Sequence, residues 1–338
     1  MTQPVLSVRN LRVEFPTRRA RLVAIDDVSF DILPGEVLGM VGESGAGKSV
    51  TGTAIIGLIE PPGRIAGGEI FLSGKRIDKL PPAAMRRIRG KRIGMVFQDP
   101  LTSLDPLYRI GEQLTETIAT HTDLRGAALR ERAIALLSEV GIPAPEHRFD
   151  NYPHQFSGGM RQRVVLALAL AADPELVIAD EPTTALDVSV QAQIIELMKR
   201  LARRHRAAIL LITHDMGVIA EAADRVAVMY AGRIVEIGPV RDVVSAPLHP
   251  YTRGLMGSIP KLDGALDRLV QIPGSMPRLT AIPSGCPFHP RCPRVFAPCP
   301  IHRPELRPQA KAQVACWLYH PAPSAQSEKP ATLRGGSP

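Results

Sequence analysis

The chain has 338 residues, 45% hydrophobic, 22% charged and 4% aromatic, with a formal net charge of +8 and four cysteines. That length suits one large domain with an appendage or two ordinary domains, and the apolar content suffices for a buried core. The longest apolar runs, 164–172 and 207–212, fall far short of the roughly 20 residues that span a bilayer, so no transmembrane helix is encoded. The start, Met1-Thr2-Gln3-Pro4-Val5-Leu6, lacks both the charged and the apolar parts of a secretory signal, so a cytosolic location is expected, where thiols stay reduced. The basic balance permits an anionic partner without requiring one. Its main cluster, Arg86, Arg87, Arg89, Lys91 and Arg92, reads as a solvated face, and so few aromatics leave little platform for single strands.

Taken in order, Leu6, Val8, Leu11, Val13 and Phe15 predict a strand, and 22–32 its hairpin partner with Val28 and Phe30 on one side. Phe15 is the aromatic best placed to stack on an adenine, with an ordinary strand-end core position as the alternative. Leu33-Pro34-Gly35 turns into a short buried strand over 36–41. It leads into Gly42-Glu43-Ser44-Gly45-Ala46-Gly47-Lys48-Ser49, a full match to G-x-x-x-x-G-K-[ST], followed by a helix predicted over 48–59. Strand, glycine-rich loop and helix are the setting of a phosphate-binding loop. The backbone of Gly42, Ser44, Gly45 and Gly47 can turn successive N–H groups onto a polyphosphate, at the positive end of the helix. Lys48 is expected to reach the β- and γ-phosphates and Ser49 to hold Mg²⁺, with Val50 completing the binding set.

Strands are predicted over 67–72 and 93–97, joined by a basic, Pro-bearing connection. Gln98 then stands at a strand end, a place for a contact with Mg²⁺ and water. Residues 101–155 change character, with helical spacing over 110–120 and 124–140 closed by Gly141, Pro143 and Pro145. They read as a helical insertion, and with the helix that follows the subdomain runs over about 101–172. That next helix opens on Phe156-Ser157-Gly158-Gly159-Met160, where a hydroxyl and backbone N–H groups offer a second anion site. The aliphatic strand 176–180 ends in Asp180 and Glu181. Such a pair is costly unless one acid meets a cation and the other has a task; Asp180 is expected to hold Mg²⁺ through its water shell and Glu181 to activate water. Asp187 lies in the turn into a helix over 189–204, and the strand 208–213 ends at His214, on the predicted phosphate edge. A hairpin over 226–230 and 234–237 around Gly232 closes the nucleotide domain near residue 245.

Phosphate loop, Gln98, Ser157-Gly158-Gly159, Asp180-Glu181, Asp187 and His214 stand in an order and spacing that resembles the ATP-binding subunit of an ABC transporter over residues 5–245. The resemblance implies an α/β P-loop fold with a mixed core sheet, an antiparallel β subdomain and a helical insertion. It also implies that ATP is sandwiched between Lys48 and Ser49 of one subunit and Ser157 and Gly159 of another, so that hydrolysis by Glu181, with Gln98 and His214, needs two chains. Phe156 and Met160 depart from the commonest family signature but lie off the serine and glycines. Gln98-Asp99-Pro100-Leu101-Thr102-Ser103-Leu104-Asp105-Pro106, His249-Pro250-Tyr251-Thr252-Arg253 and Pro283-Ser284-Gly285-Cys286-Pro287-Phe288-His289-Pro290-Arg291-Cys292 resemble the dipeptide and oligopeptide (peptide/nickel) importer branch. That branch implies an importer ATPase at the cytoplasmic face of a bacterial inner membrane. Its partners would be two transmembrane permease subunits contacted through 101–155, a solute-binding protein, and usually a second, different ABC ATPase. Nickel in place of peptide remains an alternative. So does a soluble ABC ATPase acting on DNA or ribosomes, although the stretch from Gln98 to Phe156 is too short for long coiled-coil arms and nucleic acid is not expected.

Residues 246–321 form an extension holding Cys286, Cys292, Cys299 and Cys316, with five, six and sixteen residues between successive cysteines. That spacing is looser than a zinc knuckle. Pro287, Pro293 and Pro300 each follow a cysteine and oppose helix and sheet, which suits a loop cage. Four thiolates near Arg291, Arg294, Arg303 and Arg307 fit a [4Fe–4S] cluster, and the resemblance implies the same; zinc, free buried thiols, and a cluster-dependent redox sensor are the alternatives. Residues 322–338, rich in Pro, Ser and Gly, read as a disordered tail.

Overall fold

The computed structural model describes residues 3–18, 20–99, 103–183, 187–258 and 271–320. The predicted tail, most of the turn before Asp187, and Pro100, Leu101 and Thr102 lie outside them. The first strands are β1 (Leu6–Pro16), β2 (Arg21–Ile32) and β3 (Val37–Val41), after which the phosphate loop leads into helix α1 (Lys48–Ile55). Next come β4 (Arg64–Leu72), β5 (Lys75–Arg76), α2 (Pro82–Ile88) and β6 (Ile93–Val96). The helical insertion holds α3 (Ile110–His121), α4 (Ala127–Glu139) and α5 (Pro145–Arg148). Helix α6 (Gly158–Ala169), β7 (Leu176–Asp180), α7 (Val188–His205), β8 (Ala208–Thr213) and α8 (Met216–Ala222) follow. The chain ends with β9 (Arg225–Tyr230), β10 (Arg233–Pro239), α9 (Val240–Ser245), α10 (Pro250–Gly257), β11 (Arg307–Gln309) and β12 (Ala312–Val314).

Two sheets result. One is antiparallel, in the order β2-β1-β4-β5; the other is mixed, in the order β11-β12-β10-β9-β3-β8-β7-β6. Strands β9, β3, β8, β7 and β6 run parallel, while β10, β12 and β11 are antiparallel additions. Every residue of β3, β7 and β8 is buried, as expected of parallel strands covered on both faces. Alternation along them separates two cores. Leu38, Met40, Ile178, Leu210 and Ile212 join Val8, Leu11, Phe30 and Ile32 of the antiparallel sheet. Val37, Val41, Val177, Ala179, Ile209 and Leu211 join the apolar faces of α3, α4, α6, α7 and α8. Because β3, β6, β7 and β8 are parallel, their carboxyl ends share one edge, and Gly42, Gln98, Glu181 and His214 all follow them there.

The structure departs from the sequence reading in four places. Helix α1 stops at Ile55 rather than Ile59, because Gly57 at φ 66° takes the left-handed position and the N–H groups of Gly57 and Leu58 return to the carbonyls of Ala54 and Thr53. The basic connection carries β5 and α2, the latter opened by Pro82 at its first turn. Pro145 likewise begins α5 instead of merely closing α4. The extension is not all loop, since β11 and β12 form a hairpin between Cys299 and Cys316, and Glu236 and Ile237 of β10 pair with Val314 and Gln313. The extension therefore completes the same sheet that begins with the phosphate-loop strand.

Candidate functional site

The phosphate loop is held by its own backbone requirements. Gly47 sits at φ 105°, and a Cβ there would come within 2.7 Å of Ile25 Cδ1, while a Cβ on Gly42 would come within 2.3 Å of the Met229 carbonyl oxygen. The Lys48 ammonium is buried and donates to the carbonyls of Gly42 at 2.8 Å and Glu43 at 3.2 Å. Burial lowers its pKa from the ordinary lysine value, an effect opposed by the charges of Glu181 and Asp180. Ser44, Gly45 and Ser49 are exposed, and Val50 is half-buried against the core.

At the ends of the neighbouring strands, Ser49 Oγ donates to Asp180 Oδ1 at 3.0 Å. Asp180 is buried, and desolvation pushes its pKa up, aided by the charge of Glu181 and opposed by the Ser49 hydrogen bond and by Lys48. Glu181 follows with φ 47°, a left-handed conformation unusual for glutamate. Its Oε1 faces His214 Nδ1 at 3.1 Å and its Oε2 accepts from Gln98 Nε2 at 3.2 Å. Tertiary folding thus brings together Lys48, Ser49, Gln98, Asp180, Glu181 and His214. A carboxyl, a hydroxyl and an amide oxygen form the donor set that magnesium takes alongside substrate phosphates.

Other expected residues lie apart. Ser157 caps α6 by accepting from the Met160 N–H at 3.3 Å; Ser157 and Gly158 are exposed, and a Cβ on Gly159 would come within 2.7 Å of Val190. Asp187 is exposed at the start of α7, without a side-chain capping bond. Phe15 is half-buried, with its ring packed over Gly63.

The four cysteines line one cavity together with His249, His289, Arg294 and Trp317. Burial pushes the Cys286 thiol pKa up to about 12 and that of Cys316 to about 11, and raises that of Cys292. The expected ligand set is not closed, however: among the described residues no three His, Cys, Asp or Glu side chains are arranged to hold one metal ion. Protonated thiols are weak donors that pack as small apolar groups, and Cys286 and Cys292 lie against the core.

Sequence reasoning missed that the phosphate loop is fastened to the extension. Glu43 accepts both Arg291 guanidinium arms, at 2.6 and 2.9 Å, and its N–H donates to the Tyr251 hydroxyl at 2.8 Å. Partners 248 and 208 residues apart leave no local signal in the chain.

Comparison with known proteins agrees with this architecture. A family model described as ABC transporter matches residues 25–184, and one described as oligopeptide/dipeptide transporter, C-terminal region, matches 235–299. The dipeptide transport ATP-binding protein DppD of Bacillus subtilis is 48% identical over 94% of this chain and 95% of its own length. The oligopeptide transport ATP-binding protein AppD of the same organism is 46% identical over 96% and 99%. The solved structure of a dimeric ATP-binding cassette, MJ0796, in a post-hydrolysis state with ADP and Pi superposes with a TM-score of 0.62 at 27% identity, covering 70% of this chain and 99% of that one. With phosphate loop and acidic strand end on one sheet edge and relatives this similar along nearly its whole length, the chain belongs to the ABC transporter family, as an ATPase of the branch with the oligopeptide/dipeptide transporter C-terminal region.

Proposed function

We propose that this chain is the ATP-hydrolysing subunit of a peptide importer, working as one half of an ATP-closed dimer. The observation that carries the reading is the convergence of Gln98 and His214 on the two oxygens of Glu181, beside the Ser49–Asp180 pair and Lys48. In this reading the loop N–H groups and Lys48 hold the phosphates of ATP. Ser49, Asp180 and Gln98 would hold Mg²⁺, which when bound neutralises phosphate charge. Glu181 takes the proton of the attacking water, oriented by His214 and Gln98, as the bond from the γ-phosphorus to the ADP oxygen breaks. Exposed Ser157 and Gly158, at the N-terminus of α6, are available to the γ-phosphate bound by a second chain, and Phe15 to its own adenine. ATP then clamps two subunits together and hydrolysis releases them, a two-state motion for driving a membrane partner.

Peptide as the transported solute is supported by the dipeptide and oligopeptide transport roles of the relatives and by the matching C-terminal region. No described helix is long and apolar enough to cross a membrane. The likeness to ATP-binding subunits of peptide transporters supports assigning the permeation path to two separate permease subunits, with this chain peripheral on the cytoplasmic face. A cleft of about 630 Å³ between the core and the helical subdomain, lined by Leu58, Phe97, Ser103 and Leu168, is suited to their docking. Leu107, 80% exposed, and Tyr108, 56% exposed, lie near it in sequence. A solute-binding protein and a second ATPase would complete the assembly. The test is to tag the chain, extract it in mild detergent with ATP and identify what accompanies it. Two membrane subunits with a peptide-type binding protein support the proposal; ribosomes or DNA-repair factors without membrane subunits would replace it.

The cysteine cavity is assigned to a structural [4Fe–4S] cluster, with zinc as the alternative. Four thiols around one cavity beside Arg294 supply the donors, and a cluster takes one thiolate on each of four irons instead of gathering all four on a single ion. Anaerobic preparation should yield bound iron and sulfide that a Cys292→Ser chain loses. Stoichiometric zinc would select the alternative, and unchanged iron in the variant would exclude the four-ligand site.

A further inference from the structure

We propose that the C-terminal extension is a working part of the nucleotide site, in which Tyr251 and Arg291 set the first peptide planes of the phosphate loop and through them the position of Lys48. The inference rests on the ATPase assignment and not on which solute is carried.

Glu43, the second residue of the loop, is held at every polar group. Its N–H donates to the Tyr251 hydroxyl, its carbonyl accepts from Lys48 Nζ, and its carboxylate receives both arms of Arg291. A trans peptide is planar with N–H and C=O pointing opposite ways. The Glu43 N–H and the Gly42 carbonyl belong to the same plane, so turning that N–H toward Tyr251 turns the Gly42 oxygen the other way. That oxygen meets Lys48 Nζ at 2.8 Å. The hydroxyl of Tyr251 therefore orients one of the two acceptors that hold the ammonium, although Tyr251 is 208 residues away in the chain from Glu43.

Arg291 is itself anchored rather than free to follow the loop. Its side chain is only 7% exposed, its Nε donates to the Pro273 carbonyl at 2.8 Å, and its arms also reach the Tyr230 hydroxyl at 3.4 Å and the carbonyls of Ile272 and Gly274 at 3.5 and 3.4 Å. Tyr251 is fixed in the same way: it is fully buried, and its ring meets those of Tyr230 and Phe288 at 4.7 and 5.4 Å. The extension thus presents a fixed acceptor, the Tyr251 hydroxyl, and a fixed donor, the Arg291 guanidinium, to the second residue of the loop. Met276 lies on the same side, its Cγ 3.8 Å from where a Cβ added to Gly45 would fall. Bidentate pairing fixes orientation as well as distance, so a lysine cannot replace Arg291 without loss.

The test uses the full-length chain and steady-state hydrolysis, with thermal melting as control. Tyr251→Phe removes one hydroxyl and keeps the ring packing. One lost hydrogen bond of ordinary net worth predicts a rise in the KM for ATP of about five-fold with kcat nearly retained. Glu43→Gln and Arg291→Lys should raise KM in the same direction, and Glu43→Gln combined with Arg291→Met should lose no more than either alone. A role confined to folding would instead lower the active fraction, reducing apparent kcat at unchanged KM. Unchanged KM in both Tyr251→Phe and Glu43→Gln, at unchanged melting temperature, overturns the proposal. If no variant or parent chain hydrolyses ATP, direct binding of a fluorescent ATP analogue reads the same affinities, with the same outcomes deciding.

Discussion

Replacing Glu181 by glutamine separates chemistry from binding at this site. Both carboxylate oxygens have partners, His214 Nδ1 at 3.1 Å and Gln98 Nε2 at 3.2 Å. A glutamine of the same shape keeps an oxygen for Gln98 and turns its amide toward the His214 nitrogen, so the side chain stays in place while its basicity is lost. Loss of a general base predicts a fall in kcat of about 10²- to 10⁴-fold, or about 2.7–5.4 kcal/mol at about 1.36 kcal/mol per decade. Binding should not suffer, since the substitution removes a negative charge that acts on Lys48 and Asp180, close to where phosphates are expected. ATP affinity is expected to hold or tighten, and an ATP-bound dimer to accumulate. Phosphate release by the purified chain measures the first effect and size-exclusion chromatography with ATP the second. Turnover within ten-fold of the parent would refute the role of Glu181, and lost nucleotide binding at unchanged melting would refute the geometry.

Asp180→Asn should stabilise the nucleotide-free chain while abolishing Mg²⁺-dependent stabilisation by ATP. Burial raises the folded pKa above the ordinary 3.8, so the contribution to stability is full below about 3.8 and is lost as pH rises through the folded value. The melting advantage of the variant should therefore grow from acid toward neutral pH, and a constant difference would contradict this. Gly94→Ala places a methyl 2.1 Å from the carbonyl oxygen of Ala169, at the end of α6, and should cost about 1–3 kcal/mol in urea unfolding; an unchanged midpoint would show the helix free to move aside. Leu107→Asp changes a side chain that is 80% exposed, so melting should be unchanged while permease subunits no longer co-purify, and normal recovery of both would place the docking surface elsewhere.

Much of the site is legible in the sequence because each part is a local solution to a local problem. Gly42–Ser49 needs its glycines and lysine in one stretch, and Asp180-Glu181 announces itself as two acids closing an aliphatic strand. What escapes local reading is shorter or more distant. Strand β5 has two residues and no period, and the Schellman end of α1 depends on where Gly57 falls relative to its packing. The cysteines share a cavity, but their spacing could not say whether the sulfurs close into a ligating set.

The sequence by itself determined most of the strands of the two cores, the place of the G-x-x-x-x-G-K-[ST] loop between strand and helix and which family the chain resembles, because periodicity, glycine and charge act over a few residues. Only the tertiary structure decided that β3 lies between β9 and β8, that Gln98 and His214 meet on Glu181, and that Arg291 and Tyr251 reach back to Glu43. Uniformly buried, mostly apolar strands such as β3, β7 and β8 could each pair with any other. The choice among them is made by the packing of two whole cores at once, and with it the choice of which distant side chains meet.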